Sequence, residues 1–173
     1  MINLVKSDLK HHLCGTFYAK NTKVTFVRLF RAFITPEFRV VLAYRIDHFL
    51  WKKNLRMLSF IMHQRHKRKY NCDIDPQAII GKGFRIVHAS DIVIGPLALI
   101  GNDCVLYNGV TLGNRKGARG DGMPQIGNKV LIGTGAKLLG KITIGENVLV
   151  GANSVVLESF DEGTIVGIPA KKS

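Results

Sequence analysis

The sequence predicts a mainly β protein, a parallel β-helix of hexapeptide repeats preceded by an α-helical segment. Three observations predict it. From Ile74 onward an aliphatic residue returns every six positions: Ile74, Ile80 and Ile86; Ile94, Ile100, Leu106 and Leu112; then Ile126, Ile132, Leu138, Ile144, Val150 and Val156. Many of these marks are followed by glycine, as in Ile80-Gly81, Ile94-Gly95, Ile100-Gly101 and Ile132-Gly133. Residues 1–70 lack the beat and carry helix signals instead. A six-residue period is neither that of a helix nor that of a single strand, and it is the signature of a β-helix in which each hexapeptide forms one short side of a coil. Three hexapeptides close a coil of about 18 residues, and coils stack at strand spacing, about 4.8 Å. The marked positions fill a little over four coils. Their aliphatic side chains point inward, and the glycine or asparagine that follows permits a tight corner where φ is positive.

The N-terminal segment, 1–70, reads as helices. One runs from Val24 to Phe33 with Phe26, Val27, Leu29 and Phe30. Thr35-Pro36-Glu37 starts the next, with a hydroxyl cap, proline in the first turn and an acid near the positive helix end. It continues from Phe38 to about Lys53 and places Phe38, Val41, Leu42, Arg45 and Phe49 at helical spacing. A third, about Leu55 to Tyr70, begins apolar and ends in Arg65-His66-Lys67-Arg68-Lys69. The repeat segment, 71–173, follows, interrupted by a loop over 114–124. Net charge is +13. Residues 1–70 hold 15 Lys/Arg against 3 Asp/Glu, whereas 71–173 hold 10 against 9, so the basic character belongs to the helices. That asymmetry suits an anionic partner or simply a solvated helix face. Nucleic acid is disfavoured, because no recognition-helix motif is present and the cations are not interleaved with stacking aromatics. Peripheral contact of a basic helix with a membrane stays open; a spanning helix does not, because no apolar run reaches about 18 residues. Three widely spaced cysteines (Cys14, Cys72, Cys104) without a zinc pattern, and a start lacking a signal-peptide core, fit a reduced, cytoplasmic protein.

The beat breaks twice. The first break adds two residues and contains His88, the one histidine after residue 70. Histidine is the natural general base near neutral pH; the plain alternative is a corner histidine bonded to a neighbouring carbonyl. Asp73 lies 15 residues before it, close to one coil, where a carboxylate would fix the imidazole tautomer. The second break adds eight residues to the beat and falls within Asn114-Arg115-Lys116-Gly117-Ala118-Arg119-Gly120-Asp121-Gly122-Met123-Pro124, a positive, glycine-rich loop suited to an anionic ligand or to a plain surface excursion. Small-residue corners, Gly133-Thr134-Gly135-Ala136 and Gly151-Ala152-Asn153-Ser154, let an extended ligand approach the backbone. So narrow a prism has no interior room, so a site must lie outside it, in clefts between the prisms of a trimer. A lone repeat histidine does not supply three imidazole ligands, and no metal is expected.

The stretch from Asp73 to Lys171 resembles the bacterial serine O-acetyltransferases and their relatives, the exopolysaccharide O-acetyltransferases. The resemblance rests on Asp73-Ile74-Asp75-Pro76, Ile80-Gly81-Lys82-Gly83-Phe84, Val87-His88-Ala89, Gly109-Val110-Thr111-Leu112-Gly113, Ile132-Gly133-Thr134-Gly135-Ala136-Lys137, Gly151-Ala152-Asn153-Ser154 and Gly167-Ile168-Pro169-Ala170. It implies a left-handed coil, an exception to the usual crossover, a homotrimer, with the pairing of two trimers through their N-terminal helices left open, and acetyl-CoA as co-substrate. It implies His88 as base, Asp73 as its orienting carboxylate, and Gly113, Gly135, Ala136, Gly151, Ala152 and Lys171 along the CoA path. Asn108, Asn114, Arg115, Arg119 and Met123 then face the acceptor. Two departures bear on that acceptor. The family's aspartate before the catalytic histidine is Val87 here, and its serine-binding Arg-His pair is Gly122-Met123. Losing such charge-assisted contacts costs about 1.5–3 kcal/mol each. The expectation is therefore acetyl transfer to a sugar hydroxyl in surface-polysaccharide assembly. Serine acetylation is the first alternative and a non-catalytic hexapeptide scaffold the second.

Overall fold

The structure is a computed structural model and describes residues 1–13, 26–115, 122–165 and 167. Four helices come first: α1 (Ile2–Leu13), α2 (Phe26–Ile34), α3 (Pro36–Lys52) and α4 (Arg56–Tyr70). Fourteen two- or three-residue strands, β1 to β14 in chain order, follow between Cys72 and Ile165 and form three parallel sheets. The first face stacks β1 (Cys72–Ile74), β4 (Ile92–Ile94), β7 (Thr111–Gly113), β10 (Lys137–Leu139) and β13 (Val155–Val156). The second stacks β2 (Ile79–Ile80), β5 (Leu99–Ile100), β8 (Gln125–Ile126) and β11 (Thr143–Ile144). The third stacks β3 (Arg85–Val87), β6 (Val105–Tyr107), β9 (Leu131–Ile132), β12 (Leu149–Val150) and β14 (Thr164–Ile165).

The six-residue beat is the register of this prism. Ile74 pairs with Ile94, Ile94 with Leu112 and Leu112 with Leu138 on the first face. Ile80, Ile100, Ile126 and Ile144 align on the second, and Ile86, Leu106, Ile132 and Val150 on the third. These side chains are at most 4% exposed. Burying each one contributes about 1.5–3 kcal/mol relative to leaving it in water. Both breaks add residues without disturbing this phase. The first lies between β3 and β4, at the corner from the third face to the first, and the second between β7 and β8, at the corner from the first face to the second. Left-handed backbone gathers at the corners, at Asn71, His88, Asp91, Gly109, Gly135 and Asn153 on the first of them.

A β-helix has an open end, where the first coil presents carbonyls that no preceding coil can satisfy. The helices close that end with side-chain donors. The Tyr44 hydroxyl donates to Ala78 O at 2.7 Å, Arg45 Nη1 to Ile80 O at 2.6 Å, Arg45 Nη2 to Gly81 O at 2.5 Å and His48 Nδ1 to Pro76 O at 2.8 Å. His11 of α1 donates to Gly83 O. Val40, Val41 and Tyr44 of α3 pack into the same core as the inward aliphatics. Arg45 is also paired with Asp8 of α1, Nε to Oδ2 at 2.8 Å, and Asp8 accepts the Phe84 N–H at 2.9 Å. Asp8 thus anchors α1 to both α3 and the first coil.

Two local expectations change. Thr35 precedes α3 but makes no side-chain cap; its hydroxyl donates back to Ala32 O at 3.2 Å, serving the end of α2 instead. The inward face of α3 is broader than the predicted stripe, taking in Val40, Ala43, Tyr44 and Asp47, whereas Phe49 is exposed. A helix that both caps a prism and packs against α4 is covered on more than one side.

Candidate active site

The corner between the third and first faces collects His88, Asn108, Gly135, Ala136, Gly151 and Ala152. His88 leaves β3 there with φ of 56° and an exposed side chain. One coil on, the Gly109 N–H donates to Ser90 O at 3.0 Å; on the next coil Gly135 N–H donates to Asn108 O at 2.9 Å, and Asn153 N–H to Thr134 O at 2.7 Å after that. His88, Asn108, Gly135 and the Gly151–Asn153 turn are therefore successive rungs of one edge. The Thr134 hydroxyl donates to Asn108 Oδ1 at 3.2 Å, and Lys137 Nζ donates to Gly109 O at 2.6 Å and Thr111 Oγ1 at 3.1 Å. Gly135 has φ of +72°, and a Cβ there would meet Asn153 Oδ1 at 2.1 Å. Ala136 is fully buried, whereas Ala152 is exposed. The edge is thus lined by small residues, and backbone polar groups lie near its surface.

Asp73 lies on the first face, with Val93 as its strand partner on the next coil. Its two carboxylate oxygens are taken by α4: His63 Nε2 lies 3.1 Å from Oδ1 and Lys67 Nζ 2.5 Å from Oδ2. Among the described residues no hydrogen bond joins Asp73 to His88. His63 and Lys67 are site neighbours that the sequence reading did not single out. Their signal was available, four residues apart on one helix face with Asp73 six beyond Lys67. Close by, burial pushes the Asp47 carboxyl up, and His66, whose Nδ1 sits 2.8 and 3.0 Å from its oxygens, opposes that shift.

The other edge of the first face holds the long loop. Asn114 and Arg115 are exposed, and Asn114 Oδ1 accepts the Gly122 N–H at 3.0 Å. Met123 does not point at solvent. It packs against the core, and its Cε lies 2.6 Å from where a Cβ on Gly95 would stand. Gly113 ends β7, its carbonyl accepting the Gly140 N–H at 2.9 Å. Arg119 and Lys171 lie outside the described residues. Among the described residues the thiols offer no nucleophile: Cys72 and Cys104 are buried, and burial pushes Cys104 up to about 11. Among the described residues no helix is long and apolar enough to cross a membrane.

Comparison with known proteins agrees with this geometry. Residues 123–158 match the bacterial transferase hexapeptide family (six repeats). A serine acetyltransferase of Haemophilus influenzae is 40% identical over 135 residues, which is 78% of this chain and 51% of the relative. The chain spans about half the length of the curated relatives it matches. Among solved structures, soybean serine acetyltransferase complexed with serine has a TM-score of 0.81 at 36% identity, covering 98% of this chain and 68% of that one. The serine acetyltransferase of Brucella abortus, in complex with coenzyme A, has a TM-score of 0.83 at 29% identity, covering 98% and 66%. With these matches the coil is a left-handed parallel β-helix.

Proposed function

The chain belongs to the serine O-acetyltransferase family of hexapeptide-repeat acyltransferases, and on that premise we propose that it moves an acetyl group from acetyl-CoA to a hydroxyl acceptor. The observation that carries this reading is the edge on which His88 stands exposed above the small-residue turns at Asn108, Gly135 and Gly151. In the proposed step the His88 imidazole takes the acceptor's hydroxyl proton as that oxygen attacks the thioester carbonyl. The tetrahedral intermediate collapses, the C–S bond breaks, and the imidazolium returns the proton to the departing CoA sulfur. Asp73, held by His63 and Lys67 and without a hydrogen bond to His88 among the described residues, is proposed to favour the imidazolium through its charge. The pantetheine arm would run along the Gly135 and Gly151 rungs. A homotrimer, with sites in the clefts between prisms, is the assembly this reading requires, and its place is the cytoplasm or the inner membrane surface.

The relatives make L-serine the first acceptor to examine. They give the surface-polysaccharide expectation no counterpart, and it rests on Val87 and on Gly122-Met123 in the loop. One specific observation keeps a neutral acceptor as the second reading: Gly122 and Met123 carry no charge, and Met123 is folded inward against Gly95. Release of CoA with L-serine, neutral sugars or no acceptor separates the two readings. His88→Ala lowers turnover by about 10²–10⁴-fold at unchanged fold; full activity in that variant removes His88 from the mechanism.

A further inference from the structure

A cavity of about 310 Å³ opens between the end of α3, α4 and the first coil, on the far side of Asp73 from the corner that bears His88. We propose that it is a binding subsite for a neutral saccharide. The inference rests on the second acceptor reading above.

Its walls combine the two kinds of surface that a sugar ring needs. Trp51 and Phe60 offer aromatic area for the apolar C–H face of a pyranose. One side of Trp51 is occupied by the Arg56 guanidinium, 5.0 Å from the ring centroid, and Phe60 is 58% exposed. Gln64, Gln77 and Asp75 offer planar polar groups that match vicinal hydroxyls. Asp75 uses Oδ1 to accept the Gln77 N–H at 2.7 Å and has Oδ2 to spare; among the described residues, the side-chain amides of Gln64 and Gln77 have no hydrogen-bond partner. Charge argues against a phosphate or carboxylate ligand. The cavity holds Asp73 and Asp75 against Lys67, and Lys67 is already spent on Asp73. The volume stands at the lower end of the range of about 300–1,000 Å³ usual for small-ligand pockets.

Position argues in the same direction. Asp75 and Gln77 form the corner between the first and second faces on the first coil. The Asp75 N–H donates to Ile94 O at 2.9 Å, so the next rung of that edge is Gly95, the residue Met123 packs against. The cavity, Met123 and the described ends of the long loop at Asn114 and Gly122 are therefore neighbours along one edge, opposite the His88 edge across the width of one face. From Asn71, at the His88 corner, to Asp75 is four residues of extended chain, roughly 13 Å. A ligand of two or three sugar units seated in the cavity would span that face.

Trp51 is the one tryptophan in the chain, so intrinsic fluorescence reports on this cavity directly. The full chain is titrated with glucose, galactose, N-acetylglucosamine and maltotriose, without acetyl-CoA. At least one sugar is expected to shift Trp51 emission saturably, whereas L-serine and CoA do not. Gln64→Ala and Gln77→Ala each weaken the binding about tenfold, the equivalent of one lost hydrogen bond, with the far-ultraviolet circular dichroism unchanged. Silence from all four sugars, or a response that survives both substitutions, overturns the proposal. Mass spectrometry of the sugar after incubation with acetyl-CoA separates the two readings. A sugar that binds but gains no 42-dalton acetyl group leaves the subsite and removes the acceptor assignment. A sugar that is acetylated while Gln64→Ala and Gln77→Ala change neither rate nor KM keeps the acceptor assignment and removes the subsite.

Discussion

Replacing Arg45 by methionine tests how the helices hold the open end of the coil. The Arg45 side chain is 2% exposed and Asp8 1%. The guanidinium makes four hydrogen bonds, two to Asp8 at 2.8 and 3.2 Å and two to the carbonyls of Ile80 and Gly81 at 2.6 and 2.5 Å. Methionine preserves most of the volume and none of the donors. Asp8 is left as a buried carboxylate with one remaining partner, the Phe84 N–H, and breaking a buried pair from one side costs about 3–5 kcal/mol. The two carbonyls lose their donors as well, at about 1–3 kcal/mol each where water cannot replace them. Gly81 O is only partly buried, so its share falls at the low end. These contributions overlap, and the expected loss is about 4–6 kcal/mol, comparable to the whole stability of a marginal domain. Equilibrium urea unfolding at fixed protein concentration measures it. A double-mutant cycle with Asp8→Leu isolates the pair, because removing both charges relieves the penalty of the stranded carboxylate. A coupling of at least about 2 kcal/mol is expected. A loss under about 1 kcal/mol for Arg45→Met, or strictly additive single changes, would refute the reasoning.

Three further outcomes are expected. Burial pushes the Tyr44 phenol up to about 12 from its ordinary value near 10. The folded state therefore holds that proton more tightly, and the stabilisation is complete below pH 10 and is lost as pH rises toward 12, by about 2–3 kcal/mol; Tyr44→Phe has a flatter alkaline limb in pH-dependent unfolding. Gly135→Ala forces a side chain onto φ of +72° against Asn153, costs about 1–2 kcal/mol and raises the KM for acetyl-CoA more than that for the acceptor. Leu138→Ala removes a fully buried member of the first-face column and costs about 2–5 kcal/mol in urea unfolding, with turnover per folded molecule unchanged.

Most of the prism was legible because its constraint is one-dimensional. An aliphatic residue every six positions has one interpretation, and the two breaks appear as corner insertions that leave Ile94 over Ile74 and Ile126 over Ile100. The end of the prism was not legible, because it is closed by contacts between residues far apart in sequence. Asp8 reaches Arg45 and Phe84, and Tyr44 reaches Ala78, across separations no period encodes. A compositional hint existed. Residues 1–70 hold only Asp8, Glu37 and Asp47 as acids, and the two aspartates are 1% exposed and paired with Arg45 and His66. A scarce carboxylate in a basic segment is worth reading as a structural partner. On the candidate site, the sequence reading set out His88 and the small-residue corners separately, and the structure stacks Asn108, Gly135 and Gly151 along the His88 edge, since equal phase in a repeat means stacking. The sequence reading missed that α4 supplies His63 and Lys67 to Asp73, because a helix that packs on a coil shares no register with it.

The placement of the two interruptions follows from the same physics. Inside the prism the aliphatic columns touch on every coil, so residues inserted within a strand would throw every later side chain out of phase. Corners tolerate extra residues because they are solvated and their backbone is already turned. Variation is therefore confined to three edges, and here both insertions flank the same face, at the His88 corner before β4 and at the loop after β7. That face carries Asp73, Thr111 and Lys137 between the two edges. The second and third faces keep short turns on each coil, and the corner between them is tied by Asn102 and Asn128, whose Oδ1 accepts the Asn102 N–H at 2.7 Å. On the proposed reading, a site assembled on one face from its two edges needs no change in the scaffold to alter its acceptor. Exchanging residues at the loop edge would then alter the acceptor side while leaving His88 and the small-residue edge in place.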